Sequence, residues 1–186
     1  MRHRDDLTFS MKEYLRRVDG VRARMADRGL DALVVNGPEN LTYLTGYQTT
    51  GYYYMQALVL PLEGEPFMVT RRLERSNVEA RTWLERSFPY EDTEDAMGRL
   101  VSAIGEAGLA GGRLGYERDG YFLRAFEQDA LRAGLPRAEL VNASGLVEAE
   151  RAVKSEEESA LLRRVARVTE IGIEAGVAAV RVGATE

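Results

Sequence analysis

Cysteine is absent from the 186 residues, and histidine occurs once, as His3. The first absence removes disulfides and thiolate chemistry. The second leaves neither an imidazole set for zinc nor a well-placed base for a Ser-His-Asp triad. No apolar run approaches the ~20 residues that span a bilayer. The opening MRHRDDLTFS lacks the apolar stretch of a secretory signal. Lysine is scarce too: only Lys12 and Lys154 stand among 25 basic residues, so the arginine excess reads as genomic bias. A net charge of −5 argues against a nucleic-acid surface. Neither G-x-S-x-G nor G-x-x-x-x-G-K-[ST] occurs. The expected setting is cytoplasmic, with no membrane and no nucleic-acid partner.

What is present alternates. Three times a helical pattern closes at Gly-Leu and a strand follows: Gly29 before Ala32–Val35, Gly108 before Arg113–Glu117, and Gly134 before Ala138–Val141. A glycine tolerates the left-handed conformation that ends a helix, and the next apolar residue packs back on it. Tyr14, Val18, Val21 and Met25 form one helical stripe, opened by a Ser10-x-x-Glu13 capping box. Met97, Leu100, Val101 and Ile104 form a second, and Phe122, Phe126 and Ala130 a third. Between them Ala57–Leu60, the turn PLEGEP and Phe67–Thr70 read as an antiparallel hairpin. The expected fold is α/β, a mixed β-sheet flanked by helices.

Near residue 150 the composition becomes highly charged, and a second capping box, Ser155-x-x-Glu158, opens a long helix to about Val180. Leu161, Leu162, Val165, Val168, Gly172 and Ala175 form its apolar face; after Thr169 apolar groups lie on nearly every side. Such a helix is expected to be buried against something. The expected division is residues 1–150 and 151–186.

GGRLG at Gly111–Gly115 follows a helix and opens a strand, the reverse of a dinucleotide loop, and reads as a plain connection. The acidic runs Glu91–Asp95 and Glu156–Glu158 sit at predicted helix starts, where carboxylates suit the dipole. No metal ligands and no catalytic residues are assigned to this chain. TTGYYYMQALVLP sets Tyr52, Tyr53 and Tyr54 before a buried strand. Alternation along a strand keeps all three from entering one core. They are either pocket wall, or one core residue with two half-exposed neighbours. Arg71 and Arg72, after the second hairpin strand, are candidates for a carboxylate clamp, against the alternative of solvated strand ends.

Three segments in order carry a family resemblance: GLDALVVNGPENLTYLTGY, YYYMQALVLPLEGEPFMVTRRLE and LVEAERAVKSEEESALLRRVARVTEIGIEAGVAAVRVGATE. The chain resembles the N-terminal domain of the creatinase/prolidase group. Arg151, Val153, Lys154, Ser155 and Glu158 match that family's Arg-x-hydrophobic-Lys-Ser-x-x-Glu passage into its catalytic domain. The resemblance implies an Xaa-Pro dipeptidase or aminopeptidase with a pita-bread catalytic domain and two divalent metal ions (manganese, cobalt or zinc). It leaves open a creatinase- or ectoine hydrolase-like C–N hydrolase and a catalytically silent scaffold. The family's metal ligands lie downstream of the matched segments, so the chain is expected to be a truncated, non-catalytic N-terminal portion. A homodimer is implied, as is a proline-containing peptide or small cyclic substrate for the full-length enzyme. Tyr52 falls where creatinase has a substrate-touching Phe, and Tyr54 where it has an Arg. The lost arginine counts against creatine. Tyr52, Tyr54, Tyr53 and Arg71 are the substrate-binding candidates.

Overall fold

Helix α1 (Met11–Asp27) starts at Ser10, whose hydroxyl accepts from the Glu13 amide, and it buries Tyr14, Val18, Val21 and Met25 as the stripe predicts. In the computed structural model, residues 4–185 are described, and His3 lies outside the described residues. Gly29, at φ 62°, turns the chain into β1 (Ala32–Val35). Helix α2 (Pro38–Thr45) then uses its proline at the helix start and closes on left-handed Gly46. The hairpin β2 (Ala57–Pro61) and β3 (Phe67–Arg71) lies where predicted.

A short 3-10 turn (Arg72–Glu74), helix α3 (Arg75–Arg81) and strand β4 (Arg86–Tyr90) come next, and none is evident from the sequence pattern. Helix α3 buries only Val78, and β4 carries Pro89. Proline removes a ladder donor, which an edge strand tolerates; β4 is indeed the edge. Helix α4 (Ala96–Glu106), β5 (Arg113–Tyr116), α5 (Ala125–Gly134), β6 (Glu139–Asn142) and α6 (Leu146–Arg151) complete the first unit.

The six strands form one mixed sheet in the order β4-β3-β2-β1-β5-β6. β2 is antiparallel to both β1 and β3, while every other pairing is parallel. β2 therefore runs alone against five parallel strands. Alternation splits the core in two. Leu33, Val35, Leu58, Leu60 and Met68 meet α1, α2, α3 and α6 on one face. Val34, Val59, Phe67, Val69 and Leu114 meet α4 and α5 on the other.

Two expectations need correction. Gly134 is not left-handed; it is the last residue of α5, and a Cβ there would lie 2.5 Å from Val101 Cγ2. Its reason is close approach to α4. The Phe122–Phe126–Ala130 stripe also fails: Phe122 precedes the helix, Phe126 is 60% exposed, and α5 buries Glu127 and Leu131. The Glu127 carboxylate accepts from the Arg124 amide at 2.7 Å and from its guanidinium at 2.6 Å, which holds Glu127 buried at the helix start.

The chain divides into two compact units, Met1–Ala152 and Val153–Glu186. The second holds α7 (Glu156–Ala179), opened by the reciprocal Ser155–Glu158 capping box that the sequence predicts. Leu162, Val165, Val168, Ile171, Ile173 and Val177 are exposed along it. No helix among the described residues is long and apolar enough to cross a membrane.

Candidate functional site

Because β2 is reversed, its first residues arrive at the edge where the parallel strands end. Ligands of open α/β sheets bind at that carboxyl edge. Gly51–Gln56 is not strand but a turn, closed by the Tyr54 amide donating to the Gly51 carbonyl at 3.0 Å. Strand alternation therefore does not govern the tyrosines. None enters the core: Tyr52, Tyr53 and Tyr54 are 48%, 68% and 42% exposed, while Met55 is buried.

The rings form a row. Tyr52 meets half-buried Phe122 edge-on at 6.1 Å between centroids and Tyr53 at 5.8 Å. Tyr53 and Tyr54 tilt together at 4.7 Å. The Arg71 guanidinium lies 3.7 Å above the Tyr54 ring, a cation–π distance. Its Nε and Nη2 donate to Asp92 Oδ1 and Oδ2 at 2.6 and 2.5 Å. The structure thus brings all four sequence candidates into one row and adds Phe122 and Asp92. Arg71 does clamp a carboxylate, but an internal one. Arg72 pairs likewise with Glu91. Arg71 is therefore not a solvated strand end, whereas Arg72, 61% exposed, is.

Electrostatics keeps this latch charged. The hydrogen bonds from Arg71 hold the Asp92 carboxyl below its ordinary 3.8, and Asp92 in turn raises the guanidinium. Behind the row, the Tyr90 hydroxyl donates to the Met55 carbonyl at 2.6 Å and pins the turn. Burial, chiefly, pushes that phenol up to about 12. The Tyr47 hydroxyl donates to Glu74 Oε2 at 3.0 Å, and its phenol is likewise raised, first by burial.

A second polar node sits at the same edge, after β1 and β5. Glu117 Oε2 accepts the Asn36 and Gly37 amides at 2.7 and 2.6 Å. Asn40 Nδ2 donates to Glu117 Oε1 at 2.5 Å and to Glu148 Oε1 at 2.8 Å. Arg151 Nη1 donates to Asn40 Oδ1 at 2.7 Å. Two of the motifs quoted above, NLTYLTGY and the Arg151 passage, therefore meet here. Burial raises the Glu117 carboxyl above its ordinary 4.5, against the lowering effect of the donors. The folded state thus binds this proton more tightly than the unfolded chain. The stability that Glu117 contributes is fully present below the unfolded value and is lost as pH rises through the raised one. The carboxyl carbon resonance of Glu117 is expected to titrate with a midpoint above 4.5; a midpoint at or below that value refutes the burial argument.

Sequence reasoning missed Phe122 by placing it in a helix, and Asp92 by reading its acidic run as a helix start. That run does reach α4, whose N-cap is Asp95, but Asp92 faces back to β3. Among the described residues, no group of three or more Asp, Glu or His side chains is arranged to hold a metal ion. A dinuclear centre does not fit the described residues.

Fold and site define the class first: an α/β domain presenting an aromatic edge. The chain belongs to the creatinase/prolidase N-terminal domain family, whose model matches residues 17–153. It is 33% identical over 171 residues to an ectoine hydrolase from Halomonas elongata, covering 87% of this chain and 43% of the relative. It is 32% identical over 189 residues to a creatinase from a Bacillus species, covering 96% and 43%. The crystal structure of the N-terminal domain of cytoplasmic peptidase PepQ from Mycobacterium tuberculosis superposes at TM-score 0.60 with 27% identity, covering 73% of this chain and 98% of that one. The chain spans under half the length of the curated relatives it matches.

Proposed function

We propose that this chain is the N-terminal, substrate-pocket domain of a cytoplasmic, metal-dependent Xaa-Pro dipeptidase or aminopeptidase, and that it pairs as a homodimer. On this reading the chain alone is non-catalytic, and α7 is the first helix of a pita-bread domain that carries two divalent ions. The row Tyr52–Tyr53–Tyr54, exposed at the carboxyl edge, carries the proposal. Flat amphipathic rings suit a proline ring or another small cyclic group. Arg71 supports the row by holding Tyr54. Committed to Asp92, Arg71 itself offers the aromatic face no free cation. The identity to an ectoine hydrolase favours a second reading, the same domain in a non-peptidase C–N hydrolase.

The test uses the complete enzyme with a panel of Xaa-Pro dipeptides and ectoine. Tyr52→Ala and Tyr54→Ala are expected to raise KM about 10- to 200-fold, the ~1–3 kcal/mol of a lost apolar contact. Uniform binding loss leaves kcat nearly unchanged. KM values unmoved for every substrate would show the tyrosines to be surface filler. A wild-type preference for ectoine over all dipeptides selects the second reading.

A further inference from the structure

Arg81 is the last residue of α3, and it is exposed. Other arginines nearby are committed: Arg71 to Asp92, Arg72 to Glu91 and Arg75 to Glu79. The Arg81 guanidinium has no hydrogen-bond or ion-pair partner among the described residues. Asp6, which shares a hollow of about 320 Å³ with it, is already held by Arg4.

Glu74, Asn77 and Arg81 recur at i, i+3 and i+7, one face of the 3-10 turn and α3. All three line an open hollow of about 500 Å³ with Gln48, Thr49 and Leu73. That is within the ~300–1,000 Å³ of small-molecule sites. It lies at the carboxyl edge, because Leu73 and Glu74 directly follow β3. Glu74 and Arg81 are the charged residues of its lining, and they make no ion pair with each other.

Glu74 Oε2 accepts from the Tyr47 hydroxyl and from Asn77 Nδ2, both at 3.0 Å. Burial opposes its charge, but Asn77, Thr49 and Tyr47 outweigh burial and hold the carboxyl below its ordinary 4.5. It is therefore an anion at neutral pH. A carboxylate offers about four acceptor directions, so three donors leave Oε1 at least one. Gly51 keeps that oxygen uncovered: a Cβ there would lie 3.2 Å from it. The Gly51 φ is not left-handed, so the backbone alone does not call for glycine. A simple anion entering the hollow meets Glu74, and a simple cation meets Arg81. A neutral group leaves both charges unanswered.

We propose that this hollow binds a small zwitterion, an amino carboxylate whose cation donates to Glu74 Oε1 and whose carboxylate is held by the Arg81 guanidinium. A guanidinium fork suits a carboxylate in two-pronged geometry. Exposed Leu73 offers apolar surface to the carbons between the charges. The site is separate from the tyrosine row, and its test needs neither that row nor enzymatic activity.

The 186-residue protein, labelled with 15N, is titrated with β-alanine and, separately, with acetate and with methylammonium, which carry one charge each. β-Alanine is expected to shift the Arg81 Nε–H and the Asn77 side-chain NH2 resonances to saturation. Neither half is expected to saturate them over the same concentrations. Arg81→Gln keeps a polar side chain without the charge and is expected to weaken β-alanine at least about tenfold, the effect of losing one charge-assisted hydrogen bond. Glu74→Gln is expected to do the same, followed in both variants through the Asn77 NH2. If Glu74→Gln does not fold, Arg81→Gln decides alone, since its guanidinium has no partner to lose. Shifts that never saturate, equal saturation by acetate or by methylammonium, or an Arg81→Gln titration matching wild type each overturn the proposal.

Discussion

Replacing Glu13 with alanine is expected to lower the unfolding free energy by about 3–5 kcal/mol, the range for breaking one partner out of a buried ion pair. Arg17 is 1% exposed, under the N-terminal segment and α2. Its Nε donates to Glu13 Oε1 at 3.1 Å and its Nη1 to the Tyr43 carbonyl at 2.9 Å. The guanidinium lies 3.9 Å over the Phe9 ring and 4.5 Å over that of Tyr43. Removing Glu13 takes the carboxylate from a charge enclosed by aromatic faces. The double variant Glu13→Leu with Arg17→Met is expected to recover most of the loss, because an apolar pair of similar volume avoids the desolvation cost. Urea unfolding of the wild type and the two variants checks this. A loss under about 1 kcal/mol for Glu13→Ala, the scale of a solvated surface pair, rules out the buried-pair account.

Asn40→Ala is the second large effect. One amide serves Glu117, Glu148 and Arg151, so its loss strips a partner from three charged groups at once. Each hydrogen bond to a charged group is worth ~1.5–3 kcal/mol, but shared networks are not additive. A net loss of about 2–4 kcal/mol is expected in chemical denaturation at pH 7. Asn40→Asp keeps the shape and sets a third carboxylate beside Glu117 and Glu148. It is expected to cost more at pH 7, and the deficit to shrink as pH falls through the raised Glu117 value. Equal stability of Asn40→Asp and wild type at pH 7 would show that the node is not electrostatically tight.

How much of this was legible follows from what each signal measures. Periodicity reports burial, and it placed β1, the β2–β3 hairpin and α1 because Ala32–Val35, Ala57–Leu60 and the Tyr14–Met25 stripe are buried. It missed α3 and β4 because a helix with one buried valine and an edge strand with a proline bury too little. The Gly-Leu signal holds at Gly29 and Gly108, both left-handed, and misreads Gly134, where crowding by Val101 selects the same residue for another reason. The family resemblance, carried by the order of three motifs, was legible and is matched over residues 17–153. The aromatic row was legible as three adjacent letters. Its neighbours were not: Phe122 and Asp92 reach it only through the sheet, and Arg71 reads alike whether its fork is empty or filled.

The lone reversed strand has a kinetic consequence. It makes the centre of the sheet its most local part: Val59 pairs with Phe67 just across a short connection, whereas the neighbouring β1–β5 ladder pairs Leu33 with Gly115. A hairpin closes in ~1–10 μs, while pairing distant strands waits on the entropy of a long closed loop. The chain is thus expected to assemble outward from β2–β3, with the β5–β6 half joining last. The turn bearing Tyr52–Tyr54 leads into this early hairpin, so its exit is fixed before the strands flanking the finished edge arrive.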